Sequence, residues 1–179
     1  MTKKNDTITF HPGKFITPSG TARWVHLAEP RKDERFGGVN YECTIEFNPQ
    51  SPEYKAMIKS LEAAIKELCK GIGKPVPQKL SWLREAPGGR VSIGFKRAVR
   101  DGKDKPIPVL DTDKQPCEEP WGGDDIRIAF NLGLWKTAMG YGVKPYPIAV
   151  QVLQRNKGAK NVADVFDDIA TESSTDIPF

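Results

Sequence analysis

Residues 39–47 read Val-Asn-Tyr-Glu-Cys-Thr-Ile-Glu-Phe, and residues 51–71 follow as Ser-Pro-Glu-Tyr-Lys-Ala-Met-Ile-Lys-Ser-Leu-Glu-Ala-Ala-Ile-Lys-Glu-Leu-Cys-Lys-Gly. The first stretch alternates without a break. Val39, Tyr41, Cys43, Ile45 and Phe47 share one side, and Asn40, Glu42, Thr44 and Glu46 share the other. Period two with one apolar face is a strand that buries half of itself. The second stretch changes period. Tyr54, Met57, Ile58, Leu61, Ile65 and Leu68 recur at helical spacing, behind Ser51 as N-cap and Pro52 in the first turn, and Gly71 ends the run. Lys55, Lys59, Lys66 and Lys70 form the solvated face of that helix, and its apolar stripe is expected to plug the open side of a sheet.

On the N-terminal side, Ile8–Phe10 and Lys14–Ile16 read as short strands. Thr21–Ala28 is a strand of mixed faces, with Trp24 and His26 on one side and Arg23, Val25 and Leu27 on the other. Alternation alone leaves Trp24 open between core and surface. Glu29–Gly38 is a loop carrying Arg31, Lys32, Arg35 and Phe36. On the C-terminal side, Ile72–Gly89 is proline-rich, and Leu80–Arg84 fits a short strand or a turn. Arg90–Arg100 alternates again, with Ser92, Lys96 and Arg100 outward; Arg97 falls on the apolar side, which predicts a bulge or a strand end. Asp101-Gly102 is a turn, and Ile107–Leu110 a returning strand. Ile126, Ile128, Phe130, Leu132 and Leu134 form one buried face, leaving Arg127, Asn131 and Trp135 outside. Gly140–Pro147 reads as a loop with Lys136, Tyr141, Lys144 and Tyr146 at or beside it, and Ile148–Leu153 as the last strand.

Many short strands, one helix, 15 Pro and 16 Gly predict a mainly β fold with one main helix, a small Greek-key β-barrel of the OB-fold type. A β-sandwich of immunoglobulin type is the alternative, but so long a helix inside it would be unusual. Residues 1–160 are expected to form one domain and residues 161–179 an acidic C-terminal tail. The tail holds Asp164, Asp167, Asp168, Glu172 and Asp176 and no Lys or Arg. The chain is +4 overall, while residues 1–160 set 27 basic against 18 acidic residues, a net +9. A basic body joined to an acidic strap suits a polyanion ligand and a tail that competes for the same surface.

Enzyme chemistry finds little support. His11 and His26 are the only histidines, and Cys43, Cys69 and Cys117 are odd in number and far apart. No metal site, disulfide framework or cofactor is therefore expected. Gly71-Ile-Gly-Lys74 looks like a piece of a phosphate loop, but Leu68 replaces its first glycine and Pro75 its hydroxyl residue. Asp111/Asp113, Glu118/Glu119 and Asp124/Asp125 would allow a metal-dependent nuclease, although solvated turn acids are far commoner. No apolar run approaches a membrane span and the N-terminus opens no signal peptide, so a cytoplasmic protein is expected.

Single-stranded nucleic acid needs cations along its phosphates and aromatic faces for its bases. Candidate DNA-binding residues are Arg23, Trp24, Arg31, Lys32, Arg35, Phe36, Lys96, Arg100, Trp135, Lys136 and Tyr141. Lys96 and Arg100 equally fit an ordinary solvated sheet face. Glu42 and Glu46 argue against DNA lying across their part of the sheet.

Glu29-Pro30-Arg31, Gly37-Gly38, the Tyr41–Phe47 strand with its helix, Arg100-Asp101-Gly102 and the Ile126–Leu134 strand occur in an order that resembles a tailed-phage family. That family was long a domain of unknown function and is understood as OB-fold single-stranded-DNA-binding proteins. The likeness covers most of residues 21–155 and implies coating of single strands during phage DNA replication, recombination or repair, in the host cell cytoplasm. Asp176-Ile177-Pro178-Phe179 resembles the C-terminus of bacterial single-stranded-DNA-binding proteins, which implies docking on replication and repair partners. Val162, Val165, Phe166 and Ile169 are spaced like one face of a short helix, which fits docking on the body or self-association with a neighbouring protomer. The competing class is a protein-interaction module of a virion or scaffold.

Overall fold

A computed structural model describes residues 7–34, 37–99 and 105–156. Its elements are β1 (Thr7–Ile16), β2 (Gly20–Lys32), β3 (Val39–Phe47), α1 (Pro52–Gly71), β4 (Leu83–Ala86), β5 (Arg90–Ala98), β6 (Val109–Leu110), β7 (Asp125–Thr137) and β8 (Gly140–Gln154). The strands form one sheet in the order β4-β5-β3-β2-β7-β8-β6, and β1 also pairs with β7. One edge of β7 is shared: its start takes Gly20 and Thr21 of β2, and the rest takes β1. Its other edge takes β8 along nearly its whole length. The fold is mainly β with one main helix, a sheet that curls towards a barrel.

The alternating faces place the core. Tyr41, Cys43, Ile45 and Phe47 of β3, Ile93 and Phe95 of β5, and Ile126, Ile128, Phe130, Leu132 and Leu134 of β7 are all buried. Phe130 meets Phe95 edge-on at 5.2 Å and stacks on Phe15 at 5.5 Å. The helix closes this face with Tyr54, Met57, Leu61, Ala64, Ile65, Leu68 and Cys69. Ser51 Oγ accepts the Tyr54 N–H at 3.2 Å, as an N-cap does. Chain reversal after the helix falls two residues beyond Gly71, at Gly73 with φ +65°, where the Lys74 N–H reaches the Cys69 carbonyl. No helix among the described residues is long and apolar enough to cross a membrane.

Closure of the sheet depends on Trp82. β5 lies against β8 without pairing to it. The buried Trp82 spans that seam: its carbonyl accepts the Gly94 N–H at 2.8 Å, and its indole Nε1–H donates to the Val143 carbonyl at 2.7 Å. The Val143 carbonyl thus faces the seam rather than β7. Pro145 and Pro147 share that edge by the two-residue period, so their missing N–H groups cost β7 nothing. This corrects the reading of Gly140–Pro147 as a loop, because β8 runs straight through it.

Other expectations are narrowed or changed: β1 runs unbroken over Thr7–Ile16, and β2 extends to Lys32, so Arg31 and Lys32 lie in a strand rather than a loop. Of the two outcomes expected at Arg97 the strand end holds, since β5 stops at Ala98, and there is no bulge, since β3 and β5 stay in register from Asn40↔Ala98 to Phe47↔Val91. The Arg97 stem crosses Tyr41, the guanidinium sits 5.6 Å over that ring, and it donates to the Lys105 carbonyl. The returning strand shrinks to Val109–Leu110 and runs parallel to β8, with the Val150 N–H bonded to the Pro108 carbonyl. Three of the six acids of residues 111–125 brace backbone. Asp111 Oδ1 accepts the N–H groups of Asp113 and Gln115, and Glu119 Oε2 those of Leu27 and Ala28. Asp124, 1% exposed, accepts from the Trp121 and Asn156 N–H groups and the Arg155 guanidinium.

Trp82→Phe keeps the packing and removes the seam bond, leaving a buried carbonyl without its donor. It should lower unfolding stability by about 1–3 kcal/mol in urea titration; an unchanged midpoint would mean that Trp82 fills space and nothing more.

Candidate nucleic-acid interface

The outer face of β2, β3 and β5 is a grid of cross-strand neighbours. Arg23, Thr44 and Gly94 align in one row, and His26, Glu42 and Lys96 in the next. Trp24 stands between these rows as an extra residue. The β2–β3 register shifts between Arg23 and Val25, and Trp24 takes φ +41°, a left-handed backbone that a bulky residue rarely adopts. Such a conformation costs about 1–3 kcal/mol and persists only where its surroundings enforce it. Here they do. Trp24 Nε1–H donates to Glu42 Oε1 at 2.7 Å, the Arg31 guanidinium lies 4.6 Å over the indole, and His26 meets it edge-on at 5.4 Å. The bulge lifts the ring out of the sheet, and Trp24 is 54% exposed.

Glu42 is the hub beneath it. It belongs to the outward face of β3, yet Trp24 and the cations leave it only 6% exposed. Lys96 Nζ is 3.2 Å from Oε2, and Arg31 Nη1 3.5 Å from Oε1. Burial pushes its carboxyl pKa up, but bonds from Trp24, Lys96 and Arg31 outweigh that and hold it below the usual carboxylate value. Glu46 is likewise flanked by Arg23 at 3.1 Å and Arg90 at 3.6 Å. The expectation that these two acids repel DNA counted them without four basic neighbours; this part of the face is net positive.

A groove of about 490 Å³ opens beside Trp24. Thr44, Ser92, Gly94, Glu42 and Lys96 line it from β3 and β5, Ser81, Trp82 and Arg84 from the seam, and Lys144 and Pro145 from β8. Four cations, Arg31, Arg84, Lys96 and Lys144, face one carboxylate there. An indole face beside a positively charged trough is the chemistry that holds an unstacked base and its phosphates.

Of the sequence candidates, the structure brings together Trp24, Arg31 and Lys96, with Arg23 one row away on Glu46. Lys32 is exposed at the end of β2, opposite Val39. Trp135 points outward from β7 and lies across Gly142, half-buried. Lys136 and Tyr141 pair with each other on the other side of that hairpin, where the Tyr141 hydroxyl donates to the Pro75 carbonyl at 2.8 Å. Arg35, Phe36, Arg100, Asp176, Ile177, Pro178 and Phe179 lie outside the described residues. Arg84 and Lys144 were missed because one sits in a stretch with no period and the other in a stretch that reads as loop. Trp121, 67% exposed beside Glu118 and Glu119, was also missed.

No protein-family model matches the sequence, and no curated protein matches it either. Solved structures do. The single-stranded DNA-binding protein gp2.5 encoded by bacteriophage T7 is similar over 83% of this chain and 96% of its own, at 18% identity and TM-score 0.62. The single-stranded DNA-binding protein of bacteriophage Enc34, in complex with single-stranded DNA, is similar over 81% and 88%, at 15% identity and TM-score 0.64. A C-terminal truncation of the Enc34 protein gives 87% and 94%, at 15% identity and TM-score 0.66. The likeness is one of fold.

Glu42 gives a pH test. Its folded pKa is depressed, so its contribution to stability is fully present above the unfolded value of about 4.5 and is lost as pH falls through the folded pKa. Glu42→Gln should flatten part of the acid loss in urea midpoints measured from neutral pH downward; identical pH profiles would remove Glu42 from the account.

Proposed function

We infer that this protein binds single-stranded DNA without base preference, and that the groove beside Trp24 is where it does so. One observation carries the reading: an exposed tryptophan held on a strained bulge, with a guanidinium on its ring and three further basic side chains along the trough. A side chain that only filled the core would need neither the bulge nor the exposure. The two phage proteins that share its fold are named for binding single-stranded DNA, which supports the same ligand class here. Arg31, Lys96, Arg84 and Lys144 would follow the phosphates, and Trp24 would stack one base. Arg23, Lys32, Arg35, Phe36 and Arg100 extend this reading along the basic loops, and Trp135 along β7. The role is coating of single strands during phage DNA replication or recombination in the host cytoplasm. Residues 161–179 act as a tethered anionic competitor for the groove, and Asp176, Ile177, Pro178 and Phe179 as a docking segment for replication and repair proteins.

Oligothymidylate binding followed by fluorescence anisotropy tests this directly. Affinity should fall steeply with salt, by roughly 0.7 in log–log slope for each phosphate neutralised. Trp24→Ala should cost about 1–3 kcal/mol of binding free energy while keeping a cooperative thermal unfolding transition, lowered by no more than the loss of its bond to Glu42. Salt-independent binding, or no binding at all, would favour the protein-interaction reading instead. Removing residues 161–179 takes the net charge from +4 to +9. That truncation should bind more tightly than the full chain, most visibly at low salt, because a tethered competitor acts at high effective concentration. Equal affinities at low salt would show that the tail leaves the groove alone.

A further inference from the structure

The groove does not end at β8. Lys144 lines it and also sits with its ammonium 4.8 Å over the ring of Tyr146, two residues on along the same strand face. That ring belongs to a second aromatic surface on the outer side of β1, β7 and β8. Phe10 of β1 and Lys144 of β8 both pair across Gly133, and Trp135 pairs across to Gly142 and Ile8. Both glycines let aromatic rings lie down on the sheet. A methyl group at Gly133 would fall 2.6 Å from the Tyr146 ring, and one at Gly142 would fall 2.7 Å from the Trp135 indole. Phe10 then stands edge-on to Tyr146 at 5.1 Å and 75°, and remains 48% exposed. The bulge that follows it in β1 is fixed to the helix, because Gly13 N–H donates to His11 Nδ1 and His11 Nε2–H to Glu67. Phe10 is therefore held on the outer face by a braced strand.

The geometry points to Phe10 and Tyr146 as a second base-stacking platform, joined to the Trp24 groove by Lys144. The inference rests on the single-strand reading above and adds a direction to it. The strand crosses β3 and β5 at Trp24, passes the Trp82 seam at Lys144, and leaves over β8, β7 and β1. A single strand suits such a path because its bases stack on aromatic faces while its backbone follows the cations. Tyr146 supplies the rigid part of the platform. Phe10 supplies the accessible edge, and the Lys144 ammonium between the two sites is placed for the intervening phosphate.

Oligonucleotide length separates this platform from the groove. Oligothymidylates of about 4 nucleotides reach one site, and those of about 12 span both. Phe10→Ala and the volume-sparing Phe10→Leu should each weaken binding of the longer oligonucleotide by roughly 5- to 100-fold, the worth of one stacked base. Both should leave the shorter one, and the unfolding midpoint, unchanged. Trp24→Ala should weaken both lengths. If neither Phe10 variant alters the long-oligonucleotide affinity while Trp24→Ala still does, the platform is refuted and the groove reading stands. If the Phe10 variants weaken both lengths equally, Phe10 acts through the fold or the groove, and the platform is likewise refuted. A change of oligomeric state on sedimentation, with no length effect, would make this face a protein contact and overturn the inference. A parent protein that binds neither length removes the functional reading itself, which is a different result.

Discussion

A thirteen-residue strand, β7, has to satisfy three partners, and the rest of the molecule is arranged around that demand. β8 occupies one edge, while β1 and the start of β2 divide the other. β1 leads into β2 through Thr17, whose N–H and hydroxyl both bond to Ile128 of β7. A chain that changes direction there leaves the sheet coiled rather than flat. β5 and β8, each one strand in from an end of the sheet, approach each other but their ladders do not meet, and one indole spans the gap. Groove and structural seam therefore coincide. The groove exists because the barrel is closed by a side chain instead of a strand.

Inside that groove the energetic logic is local compensation. A strained tryptophan backbone and a nearly buried carboxylate are each unfavourable alone. Together with Arg31 and Lys96 they form a satisfied cluster. The carboxylate receives an indole N–H and two cations, and the ring is held by both of its neighbours. The cluster keeps an aromatic face rigid in water, and a rigid face loses little conformational entropy when a ligand meets it.

The strands β3, β5 and β7 and the helix could be read directly, because each buries one face and its periodicity records that fact. The outward placement of Trp135 followed from the same rule. What periodicity could not show was anything that breaks it. Trp24 was ambiguous because a bulge resets the alternation of β2 in mid-strand. The first half of β8 looked like a loop because two prolines and two glycines obscure a strand whose proline nitrogens face an unpaired edge. Arg97 does mark the end of β5, but alternation could not show that its long side chain crosses the apolar face and bonds at the rim. Lys144 was visible only as a basic residue of a supposed loop, and Trp82 and Arg84 had no local signal, since the seam that brings the three together joins distant segments. The acids of residues 111–125 suggested chemistry by their number, and hydrogen bonds give Asp111, Glu119 and Asp124 an architectural role instead.

Asp124 also has a mechanical meaning. Its buried carboxylate grips Arg155 and the Asn156 N–H just after the last strand, and Arg155 additionally bonds to the carbonyls of Glu118 and Glu119. A pull exerted on the chain beyond residue 156 therefore meets a knot of charged and backbone bonds before it reaches β8. The load spreads into the Glu118–Asp124 loop and, through Glu119 and the Ala22 backbone, into β2. Load applied at that end is therefore borne first by these bonds and only afterwards by the strand pairing of β8.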